Sequence, residues 1–410
     1  MENSRSVSIL FFVHTVVLSI VSINCKDNNN LVTNQAALFV FGDSLFDAGN
    51  NNYIDTFSRF KSNIWPYGQT SGLPVITQTT FKSPTGRISD GRLIPDFIAE
   101  YAWLPLIPPN LQPSNGHNQF TFGVNFASGG AGALVETFPG MVISLGAQLN
   151  NFKNVEKRLR SELGDSEAKR IISRAVYLFH IGGNDYVYPI LFANSSTFKS
   201  SSKEKFSDFV LGNITAVIEE VYKVGGRKFG FLNIGAYDCA PASLIIDRTK
   251  IGSCFKPITD LINMHNKKLP NVLERLESDL SGFKYALHDY HTSLSERINN
   301  RLKYGKSTHG KLHVTIYVKN LTCILFWFKG FKEGKKACCG TGPLRGINTC
   351  GGRVWGLSQR YELCENVTEY LFFDSFHLTE KAHRQIAELI WSGPSNVTGP
   401  YNLKALFELK

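Results

Sequence analysis

The sequence turns abruptly from apolar to polar in Leu38-Phe39-Val40-Phe41-Gly42-Asp43-Ser44. The apolar part is too short for a helix, and its β-branched and aromatic side chains predict a buried strand. Such a strand would deliver Ser44 to the edge of a sheet, where its hydroxyl is a candidate nucleophile. Because Gly, Asp and Ser also favour ordinary turns, a turn without chemistry is the competing interpretation.

A second junction between a strand and a loop supplies the groups that a serine nucleophile needs. In Leu371-Phe372-Phe373-Asp374-Ser375-Phe376-His377, an apolar run leads to a carboxylate and then to an imidazole. A serine hydroxyl attacks only when a base removes its proton and a third group orients that base. Asp374 can reach the Nδ1 atom of His377 within this loop, which leaves Nε2 for Ser44. We therefore predict a catalytic triad of Ser44, His377 and Asp374.

Strand patterns and helical patterns alternate along the chain. This alternation predicts parallel crossovers and a single α/β domain with helices on both faces of its sheet. Ligands of such sheets bind at the carboxyl ends of the strands, which is where Ser44, Asp374 and His377 fall. A short second strand is predicted after the proline-rich loop 105–113, and the later predicted strands are 175–181, 228–234, 283–288 and 371–373. The predicted helices are 93–103, 147–163, 209–224, 261–280 and 291–302, with another after Thr379.

The N-terminal residues predict secretion. An apolar run from Val7 to Val21 follows Arg5 and precedes Ser22, which indicates a signal peptide over residues 1–24. A membrane anchor is the alternative, although His14 interrupts the run, and no other stretch is long and apolar enough to cross a bilayer. Sequons for N-glycosylation agree with secretion and lie at Asn194, Asn213, Asn320, Asn366 and Asn396.

The cysteines predict disulfides in an oxidising compartment. Cys25 lies at or before the predicted cleavage point, so seven of the eight cysteines remain, which is an odd number. A zinc site is the alternative, but the sequence has no C-x-x-C spacing. We expect one bond between Cys239 and Cys254 and two further bonds that join Cys338 and Cys339 to Cys350 and Cys364, in an order that the sequence leaves open.

The formal net charge of +10 comes from scattered basic residues, with a local cluster at Lys332, Lys335 and Lys336. Nucleic-acid binding would need a concentrated basic stripe on a known module, so we predict none. Our hypothesis is a weak, nonspecific attraction to acidic cell-wall polysaccharide or to an anionic lipid surface. We expect a monomer.

Two glycine-rich stretches lie between the serine motif and the histidine motif, Gly123-Val124-Asn125-Phe126-Ala127-Ser128-Gly129-Gly130-Ala131-Gly132 and His180-Ile181-Gly182-Gly183-Asn184-Asp185-Tyr186. With these blocks in this order, the chain resembles the GDSL esterase/lipase family of plant secreted enzymes, a branch of the SGNH hydrolases, over residues 36–392. The resemblance implies a flavodoxin-like three-layer α/β/α domain with a mainly parallel sheet.

The resemblance also implies a role for each site residue. Ser44 is the nucleophile, His377 the general base and Asp374 its partner. The oxyanion hole consists of Ser44, Asn184 and a glycine of the first glycine-rich stretch, for which we choose Gly129. No metal or cofactor is implied. We interpret Asp47, Asn50 and Asp185 as residues that hydrogen-bond the site loops, and His180 as a core residue.

Two segments depart from the family pattern. Residues 306–330 and 71–79 are atypical insertions, for which we suggest retained intron sequence, and the first of them contributes Cys323 and Asn320. Without residues 306–330, the cysteine count of the mature chain would be even. Residues 393–410 are interpreted as a C-terminal tail.

The expected function is ester hydrolysis through an acyl-enzyme, with acyl lipids as substrates. The chain looks most like a defence-associated group of secreted lipases, which implies an extracellular location in the apoplast or cell wall. Three alternatives use the same fold: a carbohydrate acetylesterase, an acyltransferase, and a catalytically weak secreted binding or signalling protein.

Overall fold

The computed structural model describes residues 35–70, 84–113, 120–192, 198, 200–305, 330–347, 349–351, 353–354, 357–358 and 360–409. The larger of two compact units is Ala37–Lys410. Its described strands are β1 (Leu38–Gly42), β2 (Val176–His180), β3 (Lys228–Leu232), β4 (Lys284–His288), β5 (Cys339–Gly340), β6 (Arg353–Val354), β7 (Leu357–Ser358), β8 (Glu362–Leu363) and β9 (Thr398–Pro400).

The described α-helices follow the same chain order. They are α1 (Ser58–Lys61), α2 (Ile94–Tyr101), α3 (Leu145–Leu163), α4 (Asp165–Arg174), α5 (Gly183–Leu191), α6 (Lys203–Val224), α7 (Lys256–Asp279), α8 (Tyr290–Asn299), α9 (Glu380–Ser392) and α10 (Leu403–Glu408). Short 3-10 helices lie at Asn50–Tyr53, Tyr237–Cys239, Ser243–Ile245, Lys303–Gly305, Pro343–Arg345 and Val367–Glu369.

The central sheet is mainly parallel. Its strand order is β1-β2-β3-β4-β9, and β1 to β4 pair in parallel. β9 pairs antiparallel with β4 at one edge. The alternation of strands and helices therefore predicted the architecture correctly, and the α/β/α fold is confirmed.

The two faces of β1 show how the sequence builds both layers of the core. Phe39 and Phe41 belong to one buried cluster, together with residues of α3, α4, α6 and α7. Leu38 and Val40 belong to the other cluster, together with residues of α2, α8, α9 and α10. Because successive side chains of a strand point to opposite faces, a strand that is covered on both faces must be apolar throughout.

Two predictions about the C-terminal part of the chain are wrong. Residues 371–373 do not join the central sheet, because the carbonyl groups of Phe372 and Phe373 accept hydrogen bonds from the N–H groups of Cys338 and Cys339. Residues 393–410 are not a tail. They contain β9 and α10, and the side chains of Leu403 and Leu406 are fully buried.

Three disulfides lie in the described part of the chain. The predicted bond between Cys239 and Cys254 is confirmed. The order that the sequence left open is Cys338 with Cys364 and Cys339 with Cys350. Cys25 and Cys323 lie outside the described residues.

Several other predictions also fall outside the described residues. They are the predicted signal peptide over residues 1–24, the predicted insertion over residues 71–79, and residues 306–329 of the predicted insertion over residues 306–330. Within the described part of the chain, no helix is long and apolar enough to span a membrane.

Removal of residues 306–329 is expected to leave the fold intact. The N–H of Phe331 donates to the carbonyl of Arg301 at 3.1 Å, and a Cβ on Gly330 would lie 2.6 Å from the Leu302 carbonyl. In a chain that joins Gly305 to Gly330, Gly330 would stand one helical turn after Leu302, a spacing that suits this contact.

The measurement is urea unfolding of the deletion variant beside the full chain. We expect the free energies of unfolding to agree within about 1 kcal/mol, because loop length changes the closure entropy only slowly. A loss several times larger would mean that residues 306–329 are part of the fold.

Candidate active site

Ser44, His377 and Asp374 meet at the carboxyl end of β1. The Nε2 atom of His377 is 2.8 Å from the Ser44 Oγ atom, and the Nδ1 atom of His377 is 2.7 Å from Asp374 Oδ1. When Nδ1 carries the proton and donates it to Asp374, Nε2 can accept the serine hydroxyl hydrogen. The residues that the sequence predicted as a triad are therefore in hydrogen-bonding order.

Asp374 is fully buried. Burial alone would raise the pKa of its carboxyl. The charge of His377 and the N–H groups of His377 and Phe376 outweigh burial and hold this pKa below its usual value. Asp374 is therefore ionised whenever His377 can act as a base.

Gly42 allows the sharp turn that exposes Ser44. A Cβ on Gly42 would lie 2.5 Å from the His180 carbonyl oxygen, so any other residue would push β1 and β2 apart. The N–H of Gly42 donates to Gln148 Oε1, and the Gln148 amide donates back to the Gly42 carbonyl. Gln148 lies in α3, and sequence reasoning did not identify it.

The N–H groups predicted for an oxyanion hole differ in whether they already make a hydrogen bond. The N–H of Ser44 makes no hydrogen bond within the described part of the chain. The N–H of Gly129 donates to Asp47 Oδ2 at 2.8 Å, so the prediction that it serves an oxyanion conflicts with the structure and is corrected. The N–H of Gly130, the next one along the loop, makes no hydrogen bond among the described residues.

Asn184 lies in the first turn of α5, after Gly182 at the N-cap. Its Nδ2 group donates to the Ala131 carbonyl at 2.9 Å, which ties the helix to the glycine-rich loop. A carboxamide nitrogen carries two hydrogens, and this bond takes one of them. The position at a helix N-terminus also favours nearby negative charge.

Asp47 joins the serine loop to the glycine-rich loop. Its carboxylate accepts from the N–H groups of Gly49 and Asn50 at 2.7 Å and from that of Gly129. Burial raises the pKa of this carboxyl to about 6, although the backbone hydrogen bonds act against that rise. The predicted structural role of Asp47 is confirmed.

Two adjacent asparagines complete this connection. Asn50 Nδ2 donates to the carbonyls of Asn125 and Ala127, which confirms its predicted role. Asn51 Nδ2 donates to the Gly129 carbonyl, and Asn51 Oδ1 accepts from the Ser128 hydroxyl. Sequence reasoning missed Asn51, although a run of three amides directly after a serine loop is a signal that could have identified it.

Asp185 fixes the far end of the glycine-rich loop. Its carboxylate accepts from the N–H groups of Ala133 and Leu134 and from the Thr137 hydroxyl at 2.6 Å. Burial raises the pKa of this carboxyl to about 6. The predicted structural role of Asp185 is therefore confirmed, and the loop is held at both ends by buried carboxyl groups.

A polar segment before α2 supports the histidine loop. The Ser89 hydroxyl donates to the Leu378 carbonyl at 2.9 Å, and Asp90 Oδ1 accepts from the N–H of Glu380 at 2.8 Å. Arg92 forms an ion pair with Glu380. These contacts fix the start of α9, whose N-cap Thr379 follows the His377 loop.

His180 is buried inside β2, as predicted. Its Nδ1 atom is 3.1 Å from Asp43 Oδ1, and its Nε2 atom is 3.2 Å from the Tyr237 hydroxyl. Both ring nitrogens therefore have partners in the core, and His180 makes no contact with Ser44.

Three of the predicted sequons can be placed. Asn213 in α6, Asn366 and Asn396 are exposed. Asn194 and Asn320 lie outside the described residues. Within the described part of the chain, Asp238, Cys239 and Cys254 are close enough to surround a metal ion, but the two sulfur atoms are joined in a disulfide.

An aromatic stripe begins beside Gly130. A Cβ on Gly130 would lie 3.3 Å from the ring of Phe60, and the ring centroid of Phe60 is 5.1 Å from that of Phe138. Phe57 and Phe192, at the two ends of this stripe, are about half exposed, at 46% and 48%. The stripe consists of Phe57, Phe60, Phe138, Tyr188 and Phe192.

Asp90 is expected to make stability depend on pH. Burial, followed by the charge of Glu380, raises the pKa of the Asp90 carboxyl from 3.8 to about 7. Between these values the folded chain binds the proton more tightly than the unfolded chain does. The contribution of Asp90 to the free energy of unfolding is therefore largest near pH 4 and declines as the pH rises to 7.

Asp90→Asn should flatten this decline, because the amide does not titrate. Urea unfolding at pH 4.5 and at pH 7 would measure the difference for wild type, for Asp90→Asn and for the exposed control Asp279→Asn. An unchanged pH difference in Asp90→Asn would show that Asp90 is ionised throughout this range.

Comparison with known proteins is consistent with the site geometry. A family model described as GDSL-like Lipase/Acylhydrolase matches residues 38–390. The chain is 71% identical over 409 residues to GDSL esterase/lipase 1 of Arabidopsis thaliana, with 100% of each chain covered.

More distant relatives extend the comparison. The chain is 44% identical over 375 residues to a GDSL lipase of Tanacetum cinerariifolium, covering 92% of this chain and 88% of the relative. It is 33% identical over 373 residues to inactive GDSL esterase/lipase-like protein 25 of Arabidopsis thaliana, covering 91% of this chain and 75% of the relative. The chain belongs to the GDSL lipase/acylhydrolase family and is a carboxylic-ester hydrolase.

Proposed function

We propose that the chain is a secreted lipase or esterase that hydrolyses esters of apolar acyl groups through an acyl-enzyme on Ser44. The observation that carries the mechanism is the continuous order of Ser44 Oγ, the His377 imidazole and the Asp374 carboxylate, with separations of 2.8 Å and 2.7 Å. Removal of the hydroxyl proton by an oriented imidazole is what makes serine a nucleophile.

In the proposed reaction, Ser44 Oγ attacks the ester carbonyl while His377 Nε2 takes its proton. The tetrahedral intermediate then expels the alcohol, to which His377 returns the proton, and Ser44 is left acylated. Water attacks the acyl-enzyme with the same proton transfers and releases the acid. Asp374 keeps Nδ1 of His377 protonated and stabilises the imidazolium that forms twice in each cycle.

The proposed oxyanion donors are the N–H groups of Ser44 and Gly130 and the free amide hydrogen of Asn184. Gly130 replaces Gly129 because the Gly129 N–H is occupied by Asp47. Fixed donors of this kind stabilise the negative oxygen more strongly than reorganising water can.

An apolar acyl group is the proposed feature of the substrate. The aromatic stripe starts at Gly130, the proposed oxyanion donor, and reaches two half-exposed phenylalanines. Phe138 has a φ of 48°, a conformation that bulky residues rarely adopt, and its loop is held by Asp185. Such a conformation persists where the surrounding structure fixes it, and here it places the Phe138 ring edge-on beside the Phe60 ring.

Secretion is part of the same proposal. Three exposed sequons and three disulfides support an oxidising extracellular compartment. A defence role, location in the apoplast and weak adhesion to acidic polysaccharide or anionic lipid remain predictions from the sequence.

The mechanism is tested by p-nitrophenyl ester hydrolysis with three variants. Ser44→Ala is expected to abolish hydrolysis, and Asp374→Asn to reduce it strongly because the imidazole loses its orientation. Asn184→Ala should raise the barrier by about 3 kcal/mol, the effect of losing one oxyanion donor. Folded Ser44→Ala protein with unchanged activity would refute the mechanism, and acyl transfer to an added alcohol would identify a transferase.

The substrate preference is tested by comparing acetyl with octanoyl esters. Phe60→Ala should lower kcat/KM for the octanoyl ester about tenfold or more, because each buried methylene contributes about 0.8 kcal/mol, and should leave the acetyl ester within about twofold. The control is Trp103→Ala, which removes an aromatic side chain that is 82% exposed and is not part of the aromatic stripe. A wild-type preference for acetate would favour the acetylesterase instead.

A further inference from the structure

Tyr67 contacts the oxygen of Asp374 that His377 leaves free. Its hydroxyl donates to Asp374 Oδ2 at 2.8 Å, whereas His377 Nδ1 contacts Oδ1. Tyr67 is only 2% exposed, and its ring packs edge-on against Phe373, with ring centroids 5.3 Å apart. One side chain therefore contacts both Asp374 and the residue before it.

The direction of the hydrogen bond from Tyr67 is fixed by its other partners. The N–H of Cys350 donates to the Tyr67 hydroxyl oxygen at 3.3 Å, and the Thr349 side chain makes a hydrogen bond to the same hydroxyl. With its oxygen accepting from these groups, the hydroxyl gives its own hydrogen to Asp374. Burial, together with the charge of Asp374, raises the pKa of Tyr67 well above 10, so this hydrogen is retained at working pH.

We propose that Tyr67 is a positioning residue, which holds Asp374 so that Oδ1 faces Nδ1 of His377. The inference rests on the proposed roles of Ser44, His377 and Asp374 and goes beyond them by assigning a group that never touches the substrate. Because Asp374 has two equivalent oxygens and one rotatable carboxylate plane, a donor on the far oxygen fixes the orientation of the near one.

The disulfide of Cys339 with Cys350 anchors this arrangement from both sides. The N–H of Cys339 donates to the Phe373 carbonyl at 2.7 Å, and the N–H of Cys350 donates to Tyr67. The bond therefore links the backbone before Asp374 to the tyrosine that orients its side chain. A segment without any predicted catalytic residue thus supports the triad.

Tyr67 also weakens the negative potential that Asp374 exerts on His377. A donated hydrogen bond stabilises the carboxylate and draws charge away from the imidazole. Another titratable group facing the pair is His383 in α9. Burial, followed by the charge of His377, lowers the pKa of His383 to about 3, so it is neutral at working pH. Removal of the Tyr67 hydroxyl should therefore stabilise the protonated form of His377.

The experiment measures the pH dependence of kcat/KM for Tyr67→Phe on a p-nitrophenyl ester. We expect kcat to fall on the order of tenfold with little change in KM, because a hydrogen bond to a charged group is lost. The acidic limb of the profile should move to higher pH by about half a unit, because the unshielded carboxylate favours imidazolium. Thr349→Val, which removes one support of the hydroxyl, should move the limb in the same direction by less.

Tyr177→Phe is the matched control. Tyr177 is also fully buried, and its hydroxyl donates to the Ile172 carbonyl at 2.8 Å, so the variant loses one hydrogen bond without touching Asp374. A purely structural effect would lower the stability of both variants and move neither pH profile.

The outcomes separate the inference from the proposed function. Folded Tyr67→Phe and Thr349→Val with wild-type kcat and acidic limb would overturn the positioning role, provided that Asp374→Asn is strongly impaired. Wild-type activity in Asp374→Asn would overturn the proposed function itself, and the role of Tyr67 with it. A shift of the limb in Tyr67→Phe and not in Tyr177→Phe supports the inference.

Discussion

The ionised carboxylate of Asp374 is the group on which the arrangement of the site depends. Placing a charge where water cannot reach it costs several kcal/mol, and only a full set of hydrogen bonds offsets that cost. Asp374 has four donors: the Nδ1 and backbone N–H of His377, the backbone N–H of Phe376 and the Tyr67 hydroxyl. The shape of the histidine loop and the packing of the tyrosine both follow from satisfying this one group.

Buried carboxyl groups also fix the glycine-rich loop. Asp47 and Asp185 lie at the two ends of the glycine-rich loop, and each accepts hydrogen bonds mainly from backbone N–H groups. A glycine-rich backbone is flexible because it has many accessible conformations. Two buried side chains with fixed acceptor geometry therefore give that loop a rigidity that its own composition does not provide.

The sequence predicted what depends on local order in the chain. Apolar runs that end in polar groups identified the strands, and their common edge brought Ser44 to His377 across 333 positions. The sequence could not predict which of several possible acceptors receives the hydrogen bond from a given N–H group. The N–H of Gly129 is taken by Asp47, which lies 82 positions earlier, so the neighbouring amide becomes the candidate donor. Tyr67 was missed because its partner Asp374 lies 307 positions later in the sequence.

Other failures concern apolar segments that can be buried in more than one way. Residues 371–373 have the composition of a strand but bind the backbone of Cys338 and Cys339 instead of the sheet. Residues 398–408 were too short to predict as structure, although Leu403 and Leu406 lie one helical turn apart and are fully buried. In both cases the outcome depends on tertiary partners, since short apolar runs carry little intrinsic preference.

The pairing of β9 with β4 has a consequence for synthesis of the chain. A ribosome releases β4 more than a hundred residues before β9, as the numbering of the two strands requires. During that interval the outer edge of β4 has no strand beside it, and unpaired edges recruit strands from other molecules. The nascent chain is therefore most exposed to edge-to-edge aggregation just before its last segment emerges.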